Sequence, residues 1–160
     1  MIWRMSVPLL VGASVVGLDQ ATKHWATATL GGQTGPAMTT LGGWLSFDYT
    51  LNRGAAFGVM AGSDVLFVVV AVMVVLVMVA GIIWYPARRH SMLFSIGLQL
   101  GGAAGNLIDR VRLGYVVDFI YVKLFPVFNL ADTAIVTGAA LLAWVWLHPD
   151  TARPNRVATR

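Results

Sequence analysis

Hydrophobic and polar residues divide this chain into four long apolar stretches joined by more polar segments. The clearest stretch, residues 65–85, contains no charged residue. At about 1.5 Å per residue, a helix of this length crosses the ~30 Å hydrocarbon core of a bilayer. The other three stretches, which are shorter or more polar, cover residues 5–22, 92–108 and 130–147. The pattern predicts four transmembrane helices in a single membrane-embedded domain that takes in residues 1–160.

The segments after the first and the third predicted spans carry a different pattern. Between residues 44 and 52 apolar and polar residues alternate, with Phe47 and Tyr49 on one face, as in a strand. Residues 116–122 are rich in β-branched and aromatic side chains. An open sheet edge cannot lie in lipid. We therefore expect an all-α integral membrane protein with a small extracytoplasmic β-sheet, formed by the first and third loops.

The composition supports a membrane protein and excludes several kinds of chemistry. Charged residues make up 11% of the chain, whereas a soluble domain has roughly 25%. The net charge of +4 comes from scattered basic residues, which suit topology signals and lipid contacts better than nucleic acid. The absence of Cys excludes disulfides, thiolate zinc sites and Cys nucleophiles. The isolated His residues lack metal-site spacing, so we predict neither a metal nor a cofactor.

Basic residues favour one orientation in the membrane. Four spans place both termini on the same side, together with the turn between the second and third spans. The basic residues on that side are Arg4, Arg88, Arg89, Arg153, Arg156 and Arg160. Those on the other side, which are interleaved with Asp, are Lys23, Arg53, Arg110, Arg112 and Lys123. Because interleaved charges suit folded polar sites, we place both termini in the cytoplasm and the first and third loops outside.

The third predicted span combines small and polar residues. Gly97, Gly101 and Gly105 recur at every fourth position, a spacing that permits close contact between helices. Gln99 and Asn106 share roughly one side, so polar groups gather toward the outer end of the span. For Gln99 we expect an interhelical hydrogen bond and no further role.

All the acidic residues are Asp, and two of them, Asp118 and Asp132, lie in short apolar contexts. A carboxylate beside hydrocarbon is costly and therefore indicates a functional site. Two carboxylates within hydrogen-bond range cannot both ionise easily, so such a pair holds one proton near neutral pH. The ionised member can then take a proton from water while the protonated member donates to a carbonyl oxygen. Such a pair could hydrolyse an amide without Ser, Cys or metal.

Each of these residues also has an ordinary structural explanation. Asp132 opens the fourth predicted helix, where an acid complements the helix dipole. Asp118 could pair with Lys123 or Arg110. Asp19, four residues before Lys23 on one helix face, favours a structural ion pair over direct catalysis. The shared site is favoured for Asp118 and Asp132 because both belong to segments that must meet at the outer face.

Five short motifs follow one another along the chain. They are Asp19-Gln-Ala-Thr-Lys23, Asn52-Arg-Gly-Ala-Ala-Phe57, Gly105-Asn-Leu-Ile-Asp-Arg110, Val117-Asp-Phe119 and Phe128-Asn-Leu-Ala-Asp132. In order, in spacing and in their four-helix frame they resemble the motifs of the lipoprotein signal peptidases, also called signal peptidase II. The resemblance covers nearly the whole chain and is silent only about the tail after His148.

The resemblance implies an aspartic endopeptidase of the bacterial inner membrane, with Asp118 and Asp132 as its catalytic dyad. Its substrate would be a prolipoprotein that carries diacylglyceryl on its lipobox Cys and is cut immediately before that Cys. The positions that match the family's substrate-binding or dyad-supporting residues are Asn52, Gly54, Asn106, Arg110 and Asn129. Those that match its polar framework are Asp19, Lys23 and Asp109. The same site is expected to bind an inhibitor of the globomycin type.

Two other functions fit part of the pattern. A small proton-coupled transporter also carries intramembrane Asp with a Lys or Arg partner. Such a carrier usually buries its acid near the midplane and has repeat-like halves, whereas these acids cluster at one interface and no internal repeat is found. A non-enzymatic assembly subunit would explain the glycine repeat but not the two apolar-flanked Asp residues.

Overall fold

The computed structural model describes residues 2–31, 38–40, 43–54, 69, 72–76, 78–80 and 90–148. Its three long helices are α1 (Ile2–Leu30), α2 (His90–Leu113) and α3 (Leu130–Leu147). Its strands are β1 (Met38–Thr40), β2 (Leu45–Asn52) and β3 (Val116–Val122). Each of the three helices is long and apolar enough to cross a membrane.

The helices correspond to three of the predicted spans, but two of them are longer than expected. The first predicted span ended at residue 22, whereas α1 continues through Lys23 to Leu30. The third was predicted at 92–108, whereas α2 runs from His90 to Leu113. Polar residues do not end these helices, because their side chains find partners inside the bundle. The fourth prediction, 130–147, matches the bounds of α3.

The second predicted span, residues 65–85, lies mostly outside the described residues. Within it, residues 72–76 and 78–80 are helical. The four-helix count therefore stays a prediction.

Helices α1 and α2 pack closely along the predicted glycine repeat. A Cβ atom added at Gly101 would lie 2.6 Å from Cβ of Val15 and 2.7 Å from the carbonyl oxygen of Gly12. One added at Gly105 would lie 2.5 Å from Oδ2 of Asp19. The close contact that the spacing predicted is confirmed. Since residue numbers rise together along this contact, α1 and α2 run parallel.

Helix α3 runs antiparallel to α2. Gly102, midway along α2, faces the start of α3 at the carbonyl oxygen of Ala131, while Gly138 lies against Gln99. The Nε2 group of Gln99 donates to the carbonyl oxygen of Ser95 at 3.3 Å. This bond lies within α2, so the interhelical bond expected for Gln99 is corrected. The start of α3 thus lies beside the C-terminal halves of α1 and α2, at Asp19 of α1 and Gly102 of α2.

The three strands form an antiparallel sheet in the order β1-β2-β3. The bounds of β3 match the prediction, and β2 matches it to within one residue. Strand β1, for which the sequence offered no alternating pattern, pairs with β2. Phe47 and Ile120 of the sheet pack against a core of Ala26, Leu30 and Phe119, which attaches the sheet to the last turns of α1.

A β-bulge interrupts the alternation predicted for β2. Phe47 pairs with Ile120, but Thr50 pairs with Asp118, so β2 has one more residue than β3 between these two pairs. The extra residue reverses which side chains face which way beyond the bulge. Asn52 therefore shares a face of the sheet with Asp118, which unbroken pairing would not allow.

The glycine contact gives a prediction about stability. Gly101→Ala adds a methyl group that must push α1 away from α2, so we expect a loss of about 1–3 kcal/mol in the free energy of unfolding. Gly17→Ala is the matched control, because nothing lies within 4 Å of a Cβ atom added there. Thermal unfolding in one detergent would measure both. Equal midpoints for the two variants would contradict this packing.

Candidate active site

Helix α3 begins with a capping box made by Asn129 and Asp132. Oδ1 of Asn129 accepts from the backbone N–H of Asp132 at 2.9 Å, and Oδ2 of Asp132 accepts from the backbone N–H of Asn129 at 3.3 Å. The helix-start role that the sequence offered for Asp132 is therefore present. It uses only one carboxylate oxygen. The other, Oδ1, accepts from Nδ2 of Asn106 at 2.7 Å.

Asp118 lies on β3 and is only 1% exposed. Its Oδ2 accepts from Nδ2 of Asn52 at 2.8 Å, and its Oδ1 accepts from Nδ2 of Asn129 at 2.7 Å. Lys123, one of the partners that the sequence allowed, instead places its ammonium 5.0 Å from the centroid of the Trp44 ring. Two amides therefore hold the Asp118 carboxylate.

One side chain, that of Asn129, connects the two Asp residues. Its nitrogen donates to the Asp118 carboxylate, and its oxygen accepts from the backbone of Asp132. Asn129 is completely buried. The structure thus brings Asp118 and Asp132 together around a single amide. No set of three potential metal ligands comes together within the described residues.

Behind this pair lies a buried ion cluster. The ammonium of Lys23 is 2.9 Å from Oδ2 of Asp19 and 2.9 Å from Oδ2 of Asp109. It also donates to Oδ1 of Asn106 at 2.9 Å. The ion pair expected between Asp19 and Lys23 forms, and all three donors of the ammonium have acceptors. Asp19 further accepts from the backbone N–H of Ala131 at 3.0 Å, which ties the cluster to α3.

Gln20 also belongs to this cluster, although no role was predicted for it from the sequence. Its Nε2 group donates to Oδ1 of Asp109 at 2.9 Å and lies 3.2 Å from Oδ2 of Asp19. It also reaches the carbonyl oxygen of Gly105 at 3.3 Å. The available signal was an amide in an apolar helix directly beside Asp19.

Two of the predicted site residues, Gly54 and Arg110, play different parts. The backbone N–H of Gly54 donates to Oδ1 of Asn52 at 2.9 Å, in a turn that directs the amide nitrogen toward Asp118. Arg110 lies half-buried in the last turn of α2. Its contact with substrate stays a prediction.

The surroundings of Asp118 favour its protonated form. Burial raises the pKa of this carboxyl from 3.8 to about 7, the hydrogen bond from Asn52 lowers it, and the negative charge of Asp132 raises it. A buried acid beside a second acid holds its proton up to near neutral pH. The pair is therefore suited to carry one proton under physiological conditions.

A pocket of about 260 Å³ lies beside the ion cluster and is lined by Lys23, Asp109, Tyr49 and Tyr115, among others. Neither Asp118 nor Asp132 lines it. The pocket reaches the framework of the site and not the paired carboxylates.

The sequence matches the family model described as Signal peptidase (SPase) II over residues 11–148. The chain belongs to the signal peptidase II family. The resemblance seen in the five motifs is thereby confirmed. Every residue of the network around Asp118 and Asp132 falls within the matched range.

Individual relatives agree with this family. The lipoprotein signal peptidase of Moorella thermoacetica is 41% identical over 141 residues, which are 88% of this chain and 93% of the relative. That of Caldanaerobacter subterraneus subsp. tengcongensis is 42% identical over 146 residues, or 91% and 99% of the two chains. A solved bacterial membrane enzyme is 30% identical with a TM-score of 0.81, over 97% of this chain and 95% of its own. This member of the signal peptidase II family is therefore a membrane-associated peptidase.

The ion cluster gives a second prediction about stability. Lys23→Met leaves the buried carboxylates of Asp19 and Asp109 without their cation, so we expect a loss of about 3–5 kcal/mol in the free energy of unfolding. Lys123→Met removes an exposed lysine and serves as the control. Unfolding in mixed micelles of increasing dodecyl sulfate content would measure both. Adding Asp109→Asn to Lys23→Met should restore part of the loss, and equal losses for the two lysine variants would refute the role of the cluster.

Proposed function

We propose that this chain is an aspartic endopeptidase that removes the signal peptide from diacylglyceryl-modified prolipoproteins by cutting before the lipid-modified Cys. The observation that carries the proposal is the pair Asp118 and Asp132, joined by the amide of Asn129 in a signal peptidase II chain. The relatives' name, lipoprotein signal peptidase, supports the choice of substrate. The raised pKa of Asp118 supports the choice of mechanism.

The dyad acts through one shared proton. The ionised carboxylate takes a proton from a water molecule, whose oxygen attacks the carbon of the scissile carbonyl. The protonated carboxylate donates to the carbonyl oxygen as the tetrahedral intermediate forms. When the carbon–nitrogen bond breaks, the new amino group of the Cys receives a proton from the dyad, and a hydroxyl of the intermediate returns one to the dyad as the carbonyl re-forms. The proton belongs to the pair of Asp118 and Asp132 and to neither residue alone.

The surrounding residues hold the dyad and the substrate. Asn52, Asn106 and Asn129 donate to the two carboxylates and so orient their free lone pairs. The ion cluster of Lys23 supports them from behind, as the polar framework. Gly54 and Arg110 match motif positions assigned to substrate binding or dyad support. Gly54 also fixes Asn52 through its N–H, and both residues lie beside the bound peptide.

The position of the dyad in the bundle fits a lipid-anchored substrate. The pair lies where α3 begins, beside the C-terminal halves of α1 and α2, so a substrate anchored by acyl chains could reach it from the bilayer. We place the protein in the bacterial inner membrane as a single domain of four spans, of which 65–85 is the second along the chain. The termini are then cytoplasmic, and the sheet and active site extracytoplasmic. A globomycin-type inhibitor would bind at the same dyad.

Substitution of the dyad tests the catalytic assignment. We expect Asp118→Asn and Asp132→Asn each to reduce cleavage of a purified diacylglyceryl-modified prolipoprotein by about 10²–10⁴-fold, because each removes one partner in proton transfer. Asp48→Asn, on β2, is the matched control and should keep its activity. Thermal unfolding would show that the variants are folded.

Cleavage at the full rate by either variant would refute the assignment of Asp118 and Asp132 as the catalytic dyad. Proton-driven solute flux in proteoliposomes, without any cleavage, would instead support the transporter. The transporter has less support from the structure, because the acids lie at one end of the bundle.

The pKa of Asp118 predicts how activity depends on pH. Since the dyad needs one proton, kcat/KM should fall as pH rises above about 7, the value to which burial raises the pKa of Asp118. The hydrogen bond from Asn52 lowers that pKa, so Asn52→Ala should move the alkaline limb to higher pH. Thr50→Ala, a neighbouring exposed residue, should leave the limb in place. An alkaline limb of kcat/KM that is unchanged in Asn52→Ala, or that lies at lower pH, would contradict the assignment.

A further inference from the structure

Two turns lie side by side at the end of the sheet away from Asn52. The turn before β2 and the turn after β3 are joined by a hydrogen bond from the N–H of Lys123 to the carbonyl oxygen of Trp44, at 3.0 Å. Three large apolar side chains project from them. Trp44 is 58% exposed, Leu124 87% and Phe125 61%. We call Trp44, Lys123, Leu124 and Phe125 the sheet tip.

Leu124 is an unusual residue for its position. Its φ of 71° lies in the left-handed region, where a Cβ atom is costly and glycine is favoured. A buried side chain could offset that cost through packing, but this one is 87% exposed. Glycine would fit the backbone of this turn better. The exposed side chain of Leu124 is therefore available for a contact outside the chain.

The chemistry of the sheet tip is that of a membrane–water interface. The ammonium of Lys123 lies 5.0 Å from the centroid of the Trp44 ring, in a cation–π arrangement. Tryptophan concentrates at the level of lipid headgroups. Lysine can keep its charge near the phosphates while its alkyl stem lies along apolar surface. Leu124 and Phe125 add purely apolar surface beside them.

The sheet packs against the membrane-spanning α1 beside an exposed tryptophan. Trp25, 41% exposed near the end of the membrane-spanning α1, packs edge-on against Phe47 at 5.7 Å and Phe119 at 6.2 Å between ring centroids. Trp44 lies three residues before Phe47 in the chain, or about 10 Å along the strand. At the opposite end of the bundle Trp144 is 61% exposed on the last turn of α3. Exposed tryptophans thus lie toward both ends of the bundle, as in the aromatic belts of membrane proteins.

We propose that the sheet tip inserts into the interfacial layer of the phospholipid bilayer. Strands β2 and β3 connect the tip to Asn52 and Asp118 near their far ends. Insertion of the tip holds these two residues at a constant height relative to the membrane surface. The partner is the lipid itself, since the apolar side chains fit acyl chains and the lysine fits phosphate.

A spin label can measure the depth of the tip directly. The chain has no native Cys, so Leu124→Cys can carry a single nitroxide in nanodiscs of phosphatidylethanolamine and phosphatidylglycerol. We expect the label to relax readily with oxygen and poorly with a water-soluble nickel chelate. Val136→Cys, whose parent residue is 68% exposed on α3, supplies the hydrocarbon reference. Free label in buffer supplies the aqueous reference.

Two results of this measurement would overturn the proposal. Access to the nickel chelate equal to that of free label would put the tip in water. Protection from both reagents would indicate burial against protein.

A second measurement keeps the native tryptophan. Phospholipids brominated near the headgroup quench the fluorescence of nearby tryptophans. The difference in quenching between wild type and Trp44→Phe is the contribution of Trp44. In the variant Leu124→Gly with Phe125→Ser, this quenching should fall several-fold, although Leu124→Gly alone should not lower the thermal midpoint. Unchanged quenching in the double variant would refute insertion. A lowered midpoint in Leu124→Gly would show that leucine serves the fold.

Discussion

The buried ammonium of Lys23 is the interaction on which the site depends. Its three donors are used by two carboxylates and one amide, supplied by α1 and α2. A charge in hydrocarbon without such partners costs several kcal/mol, so the two helices must keep the register that supplies them. Gly105 allows this register, because a Cβ atom there would lie 2.5 Å from Oδ2 of Asp19. Close helix packing and charge satisfaction are therefore a single requirement.

The ammonium also orients the groups around Asp118 and Asp132. Because Lys23 can only donate, Asn106 must turn its amide oxygen toward Lys23 and its nitrogen toward Asp132. A backbone N–H acts in the same way on the other side of the site. The N–H of Gly54 occupies the oxygen of Asn52 and leaves the nitrogen for the second carboxylate of the pair. Because the ammonium and the backbone N–H can only donate, the amides of Asn106 and Asn52 turn their nitrogens toward the carboxylates of Asp132 and Asp118.

Apolar periodicity predicted the helices better than it predicted where they end. The predicted bounds of α3 were correct because its apolar run has clear limits, whereas the first predicted span was shorter than α1. Judged by apolar residues alone, Asp19 and Lys23 indicate the end of a helix. The polar side chains remain in the helix because they pair within the bundle. For the same reason the sequence predicted no role for Gln20, since its partners Asp109 and Gly105 come from another helix.

The sequence by itself determined the membrane class, three of the helices, the β3 strand and the family, because apolar runs and local motifs are properties of neighbouring residues. It also indicated the candidate residues, since a carboxylate among apolar residues is costly wherever the chain folds. Only the tertiary structure decided how they meet. Simple alternation predicts that Asn52 and Phe47 lie on opposite faces of the sheet. The bulge in β2 instead places Asn52 on the same face as Asp118. Strand register and helix packing join residues that are distant in the chain, so no local pattern carries that information.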